Sequence, residues 1–145
     1  MLGPEGLFAA IYDDGVPVAC AGAIPWKYGS QPLAQAGETG WEIKSVTVDP
    51  RQAKKGLVSR CIGIVHEYLI AKDSELRKEN ERTGDGKLRL WIQATEIVNG
   101  DYWRRRGYKD VRRIEMPIGY WSAKIPFTMV VLMKELDLDE TTESN

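Results

Sequence analysis

The chain has 145 residues, with 20 Lys+Arg against 21 Asp+Glu and a net charge of -1. That balance excludes a protein whose main task is to coat nucleic acid or an anionic membrane, since both need a strong basic excess. Hydrophobic residues at 43% and charged residues at 28% describe a folded chain rather than a disordered one. A chain of this length buries roughly two-thirds of the surface its unfolded form exposes. One domain over residues 1–135 is therefore expected, followed by an acidic, disordered tail over 136–145.

The elements follow in chain order. Leu7 to Tyr12 and Val16 to Ile24 are apolar runs joined by Asp13-Asp14-Gly15, which reads as a hairpin. Residues 25–40, with two prolines and three glycines, form a loop. Trp41 to Val48 is a β-branched strand that Asp49-Pro50 stops. A basic loop, Arg51 to Gly56, precedes a helix whose stripe is Leu57, Val58, Cys61, Ile62, Val65, Tyr68 and Leu69. That helix is expected to fray into the mixed-charge stretch Lys72 to Arg82 before Gly84-Asp85-Gly86 breaks the chain.

Leu88, Leu90, Ile92 and Ala94 then alternate as a strand. A short helix follows, with Asn99 as its N-cap, Asp101 at its positive end and Gly107 closing it in a left-handed conformation. Strands at 108–116 and 127–134 flank a loop over 117–126. The order strand, strand, strand, helix, strand, helix, strand, strand implies a mixed α/β sheet with the long helix as its main crossover.

Cys20 and Cys61 form no CxxC or zinc spacing and read as two reduced, buried thiols, and the single histidine, His66, excludes a multi-histidine metal site. No apolar run reaches the ~18 residues that a bilayer span needs. Met1 to Gly6 lacks the regions of a signal peptide. A cytoplasmic protein without a metal or a membrane partner is the expectation.

The chemistry concentrates where strand 41–48 runs through Lys54, Lys55 and Gly56 into the helix. A helix start leaves amide N–H groups unpaired and carries the positive end of the dipole, so it suits an anion such as a diphosphate. The same residues also suit a merely solvated basic loop. Arg104-Arg105-Arg106 lie about 100° apart on a helix and form no flat patch, so direct nucleic-acid binding is not expected. Two of the three are expected to face solvent.

Val46-Thr47-Val48-Asp49-Pro50, the basic loop and the apolar helix together resemble the acetyl-CoA-binding motif of the GCN5-related N-acetyltransferases, Arg/Gln-x-x-Gly-x-Gly/Ala. With Gly56 as its middle glycine, the motif falls on Ala53-Lys54-Lys55-Gly56-Leu57-Val58. Ala53 replaces the Arg or Gln, and Val58 the small residue. Asn99, Tyr102-Trp103 and Gly107-Tyr108 resemble the second family pattern, Asn…aromatic-Tyr-x-x-x-Gly-Phe. The loop Pro117 to Lys124 is similar to that of fungal-type members.

The resemblance implies the family fold and an acetyl-CoA-dependent N-acetyltransferase acting on a small-molecule or peptide primary amine by direct attack. It implies a cofactor site at Val46, Thr47, Val48, Ala53, Lys54, Lys55, Gly56, Leu57, Val58 and Ser59, with Asn99, Trp103 and Arg106 beside it. Glu42 stands where many members carry a catalytic glutamate, and an extended strand would put Glu42, Lys44, Val46 and Val48 on one face. Pairing with Lys44 or Lys27 at a sheet edge is its alternative role.

The family tyrosine falls on Trp103, whose indole cannot deliver a proton, so Tyr102 would serve as the acid only in a rotated register. Core packing is the alternative for both aromatics. The family usually begins with a strand and two helices before the hairpin. Without them, strand 7–12 exposes an edge that a second copy or a further segment is expected to cover. The departures at Ala53, Val58 and Trp103 leave a second reading open, a catalytically impaired CoA-binding or protein-interaction module on the same core.

Overall fold

The computed structural model describes residues 6–80 and 86–137. The elements are β1 (Leu7–Asp13), β2 (Val16–Pro25), β3 (Trp41–Val48), α1 (Leu57–Asn80), β4 (Lys87–Thr95), α2 (Asp101–Arg104), β5 (Lys109–Met116) and β6 (Phe127–Asp137). The six strands form one mixed sheet in the order β1-β2-β3-β4-β6-β5. Pairing is antiparallel for β1/β2 and β5/β6 and parallel for β3/β4. The element order is the one the sequence predicts. Two expectations, the Gly84-Asp85 part of the break and the tail over 138–145, lie outside the described residues.

The chain packs as two compact units. In the first, comprising the residues up to Pro25, Ile43–Leu88 and those from Leu136, the hairpin closes through Asp14 (φ 52°) and Gly15 (φ 80°). Two successive left-handed residues match the twist of the flanking strands. The pairing slips between Ile11↔Ala19 and Tyr12↔Pro17, which leaves Val18 as an extra residue on β2. The Val18 carbonyl accepts the Asp49 amide at 2.7 Å. Helix α1 packs on β1 and β2 through Cys61, Ile62, Val65 and Leu69, all buried.

Three expectations in this unit need correction. Tyr68 lies at the margin of the stripe and is 56% exposed. The helix does not fray at Lys72 but runs to Asn80, since Glu75 to Glu79 are good helix formers. Of the two thiols, both free, Cys61 is buried and Cys20 is only partly so. Burial pushes the Cys61 thiol above its ordinary range. The Cys20 sulfur lies 2.9 Å from Thr47 Oγ1 and donates to the Ser45 carbonyl at 3.2 Å.

The second unit comprises Trp26–Glu42 and Arg89–Glu135. Its core holds Trp26, Ala34, Trp91 and Val131, with the two indoles stacked at 4.9 Å. These contacts fix the long loop after β2. Trp91 Nε1 donates to the Thr39 carbonyl at 2.9 Å, and the Trp26 amide donates to the Gly40 carbonyl at 2.8 Å. Gly40 sits at φ 123°, where a Cβ would collide with the Arg89 carbonyl, so only glycine fits. Glu38 ties the same loop to β5: Arg112 donates to its two carboxylate oxygens at 2.6 and 2.9 Å and to the Leu33 carbonyl at 2.7 Å. Strand β6 runs to Asp137, so the first two residues of the expected tail are strand.

Candidate active site

In the first unit, β3 delivers the chain into the basic loop. Asp49 caps the turn Pro50–Gln52 by accepting the Arg51 amide at 2.9 Å, and it binds the Arg51 guanidinium at 3.2 and 3.0 Å. Those bonds hold the Asp49 carboxyl below its usual range and neutralise Arg51. Lys55 donates to Gln52 Oε1 at 2.8 Å, a neutral partner that leaves its charge in place. Lys54 and Lys55 are both exposed.

The loop turns sharply at Lys54 (φ 67°) and Gly56 (φ 75°), and α1 begins at Leu57. The first bond of the helix runs from the Arg60 amide to the Gly56 carbonyl at 3.1 Å. The amides of Leu57, Val58 and Ser59 therefore have no acceptor within the helix, and its first turn carries no acidic residue. A Cβ built at Gly56 meets nothing within 4 Å, so the approach is open. Ala53, Lys54, Lys55, Gly56, Leu57, Val58 and Ser59 thus lie together on one loop and helix start. Exposed Arg60, on the first turn, adds a cation that the motif reading passed over; its place four residues after Gly56 was the available signal.

Val46, Thr47 and Val48 lead into that loop, but the alternation that would put Glu42 on the face of Val46 and Val48 does not hold. Ser45 has a left-handed backbone at φ 57°, which interrupts the extended run. Glu42 belongs to the second unit, where it is 5% exposed and accepts from Gln93 Nε2 at 2.9 Å. Gln93 is a partner that sequence reading missed, because a parallel register cannot be read from either strand alone. Among the described residues the β3/β4 ladder comprises Trp41↔Leu90 and Glu42↔Trp91.

The second motif is also rearranged. Asn99 does not cap a helix. It is an exposed residue inside a π turn, Glu96–Gly100, that runs directly into α2, so no amide is orphaned at its position. Gly100 lets the Glu96 carboxylate pass close to the backbone on its way to Arg104. Arg104 donates to Glu96 at 2.7 Å, to Asp101 at 2.8 Å and to Asp110 at 2.8 Å. Arg104 and Arg113 hold the Glu96 carboxyl below its usual range.

Only Arg105 of the three arginines is exposed, against the expectation of two. Arg106 lies 3.6 Å over the Tyr102 ring and donates to the Tyr102 carbonyl at 3.1 Å, so its guanidinium is turned onto its own helix. Trp103 is buried, edge-on to Tyr102 at 5.0 Å and to Tyr108 at 5.4 Å. Gly107 ends the helix at φ 93°, as predicted.

Tyr108 is 3% exposed, and its hydroxyl has no hydrogen-bond partner among the described residues. Burial pushes that phenol well above its ordinary range. Tyr108→Phe removes an unsatisfied group without changing shape, so thermal denaturation should show a gain of about 1 kcal/mol.

Among the described residues no group of three or more His, Cys, Asp or Glu is placed to hold a metal. No helix among them is long and apolar enough to cross a membrane.

No protein-family model matches the chain, and no curated protein matches it in sequence. Solved structures do match in fold. An aminoglycoside 6'-N-acetyltransferase complexed with coenzyme A is similar at a TM-score of 0.60 and 16% identity, over 93% of this chain and 75% of that one. The aminoglycoside 6'-N-acetyltransferase from Enterococcus faecium is similar at 0.60 and 17%, over 93% and 77%. Arabidopsis thaliana NAA60, in complex with a bisubstrate analogue, is similar at 0.60 and 14%, over 92% and 78%. The chain has the fold of the GCN5-related N-acetyltransferases, a mixed six-stranded sheet with helices inserted after its third and fourth strands.

Proposed function

We propose that this protein is an acetyl-CoA-dependent N-acetyltransferase that modifies a primary amine by direct attack. The observation that carries the reading is the start of α1: amides without helical acceptors, an open approach at Gly56, no first-turn acid, and the exposed cations Lys54, Lys55 and Arg60. That donor set fits a diphosphate, and the solved relative of the same fold holding coenzyme A supports the choice of anion. The amides of 57–59 would hold the diphosphate, with Lys54 and Lys55 supplying charge. Bound acetyl-CoA supplies a thioester whose carbonyl carbon is open to attack by a neutral amine.

In this reading Glu42 takes the proton that an incoming ammonium must lose, and Gln93 orients its carboxylate. Polarisation of the thioester carbonyl falls to a backbone N–H near Val46–Val48. Trp103 is a packing residue, and the leaving thiolate, with an ordinary pKa near ~8.5, takes its proton from water. The acceptor is an amine chosen by the loops 26–40 and 117–126. Trp121, in the second of these, is 56% exposed and stacks on Phe127. Its left-handed backbone (φ 53°) is shared by Ser122 (φ 61°).

The test is release of free thiol from acetyl-CoA across a panel of primary amines, with the acetylated amine identified by mass. Lys54→Glu with Lys55→Glu should raise KM for acetyl-CoA about tenfold and leave kcat nearly unchanged, because both charges act on binding alone. A second reading, a CoA-binding module without turnover, is favoured by buried Trp103 at the family's tyrosine position. Cofactor binding without thiol release for any amine would select it.

A further inference from the structure

The two edges of the sheet are built differently. β5, at one edge, carries five charged residues among its eight, and its pairing with β6 slips between Asp110 and Arg112, leaving Val111 as an extra residue. Charges and a bulge are the ordinary means of keeping an edge from pairing with another chain. β1, at the other edge among the described residues, has no bulge and a single charge. Its sequence, LFAAIYD, has no Lys, Arg or Pro, its only charge stands at the last position, and the bulge in its pairing falls on β2 at Val18. Phe8 and Tyr12, which share a face, are 55% and 64% exposed. They border an apolar groove of about 430 Å³ that continues across Val18, Cys20 and Thr47.

We infer that β1 is a homodimer strand: it pairs antiparallel with β1 of a second copy about a two-fold axis at Ala10. Three features of this segment select a second copy as the occupant. The strand is seven residues long with Ala10 at its midpoint, so centring there keeps the whole length paired. That register sets Phe8 against Tyr12 of the other chain twice over, an aromatic cross-strand pair on the exposed face. It also sets Ala9 against Ile11, and Ala10 against itself, with no bulk at the axis.

Charge fixes the sense. Antiparallel pairing puts Asp13 opposite Leu7, whereas parallel in-register pairing would put two Asp13 carboxylates side by side. The inference stands apart from the proposed activity, since no residue of β1 is assigned to the cofactor or the proton transfer.

Light scattering on the full chain at tens of micromolar should give twice the chain mass. Tyr12→Lys should give a monomer with an unchanged far-ultraviolet circular dichroism spectrum, because the position is exposed. Phe8→Lys combined with Tyr12→Glu should restore the dimer, since the register then sets opposite charges face to face. Ala10→Cys should oxidise to a covalent dimer, while Leu7→Cys, facing Asp13, should not. Both cysteine variants are made with Cys20→Ser, because Cys20 is the cross-strand neighbour of Ala10 in β2. A wild-type monomer would overturn the inference, whether the edge is open or covered by the chain's own terminal residues. So would a dimer that Tyr12→Lys leaves intact, or a failure of Ala10→Cys to cross-link.

Discussion

Glu38→Ala should destabilise the protein by about 3 kcal/mol, measured by chemical denaturation. Glu38 and Arg112 are each only 16% exposed at the side chain, and the carboxylate accepts two guanidinium bonds, the Gln35 amide at 2.7 Å and Trp26 Nε1 at 3.2 Å. Removing it leaves a partly buried guanidinium facing a void and frees two further donors. The loop 26–40 then loses its carboxylate tie to β5 and keeps the Arg112 bond to the Leu33 carbonyl.

The same site makes stability depend on pH. Burial pushes the Glu38 carboxyl up, but the bonds from Arg112, Gln35 and Trp26 outweigh it, and the net shift is downward. A carboxyl with a lowered folded pKa binds fewer protons in the folded state. Its contribution is therefore complete above the unfolded value of about 4.3 and is lost as pH falls through the folded one. Acid denaturation should soften in Glu38→Gln, and the difference from wild type should shrink below pH ~4.

Glu42→Gln should lower kcat for amine acetylation by on the order of a hundredfold, with acetyl-CoA affinity unchanged. The substitution keeps the size of the side chain and an acceptor for Gln93 Nε2, so the fold is retained. What is lost is the lone pair that takes the ammonium proton. Because a more basic medium delivers more neutral amine, the deficit should narrow as pH rises toward the pKa of the acceptor. A deficit constant with pH would mean that Glu42 positions the strand rather than accepting the proton.

The fold was legible because its signals are local. Alternating apolar runs, Asp14-Gly15 at the hairpin, the stripe of α1 and Gly107 each act within a few residues. The loop 53–59 was legible for the same reason, since a helix start follows from the residues beside it. The losses came where the backbone departs from its regular period or where distant residues meet. Ser45 adopts a left-handed conformation that its side chain does not announce, and every facing argument past it inherits the error.

The π turn displaced Asn99 from the cap for a similar reason: one extra residue per turn carries the helix start past it. Arg106 was expected beside the cofactor because nothing in a run of three arginines shows which one stacks on Tyr102. Gln93 and Arg112 lie 51 and 74 residues from the carboxylates they bind. One sequence carries no mark of such pairs.

Calorimetric titration of the full chain with acetyl-CoA reads the diphosphate site itself. Saturable heat with one site per chain is expected, and affinity should fall about tenfold when Lys54→Glu and Lys55→Glu are combined. No heat at millimolar acetyl-CoA, or an affinity indifferent to both reversals, would contradict a diphosphate site at the start of α1.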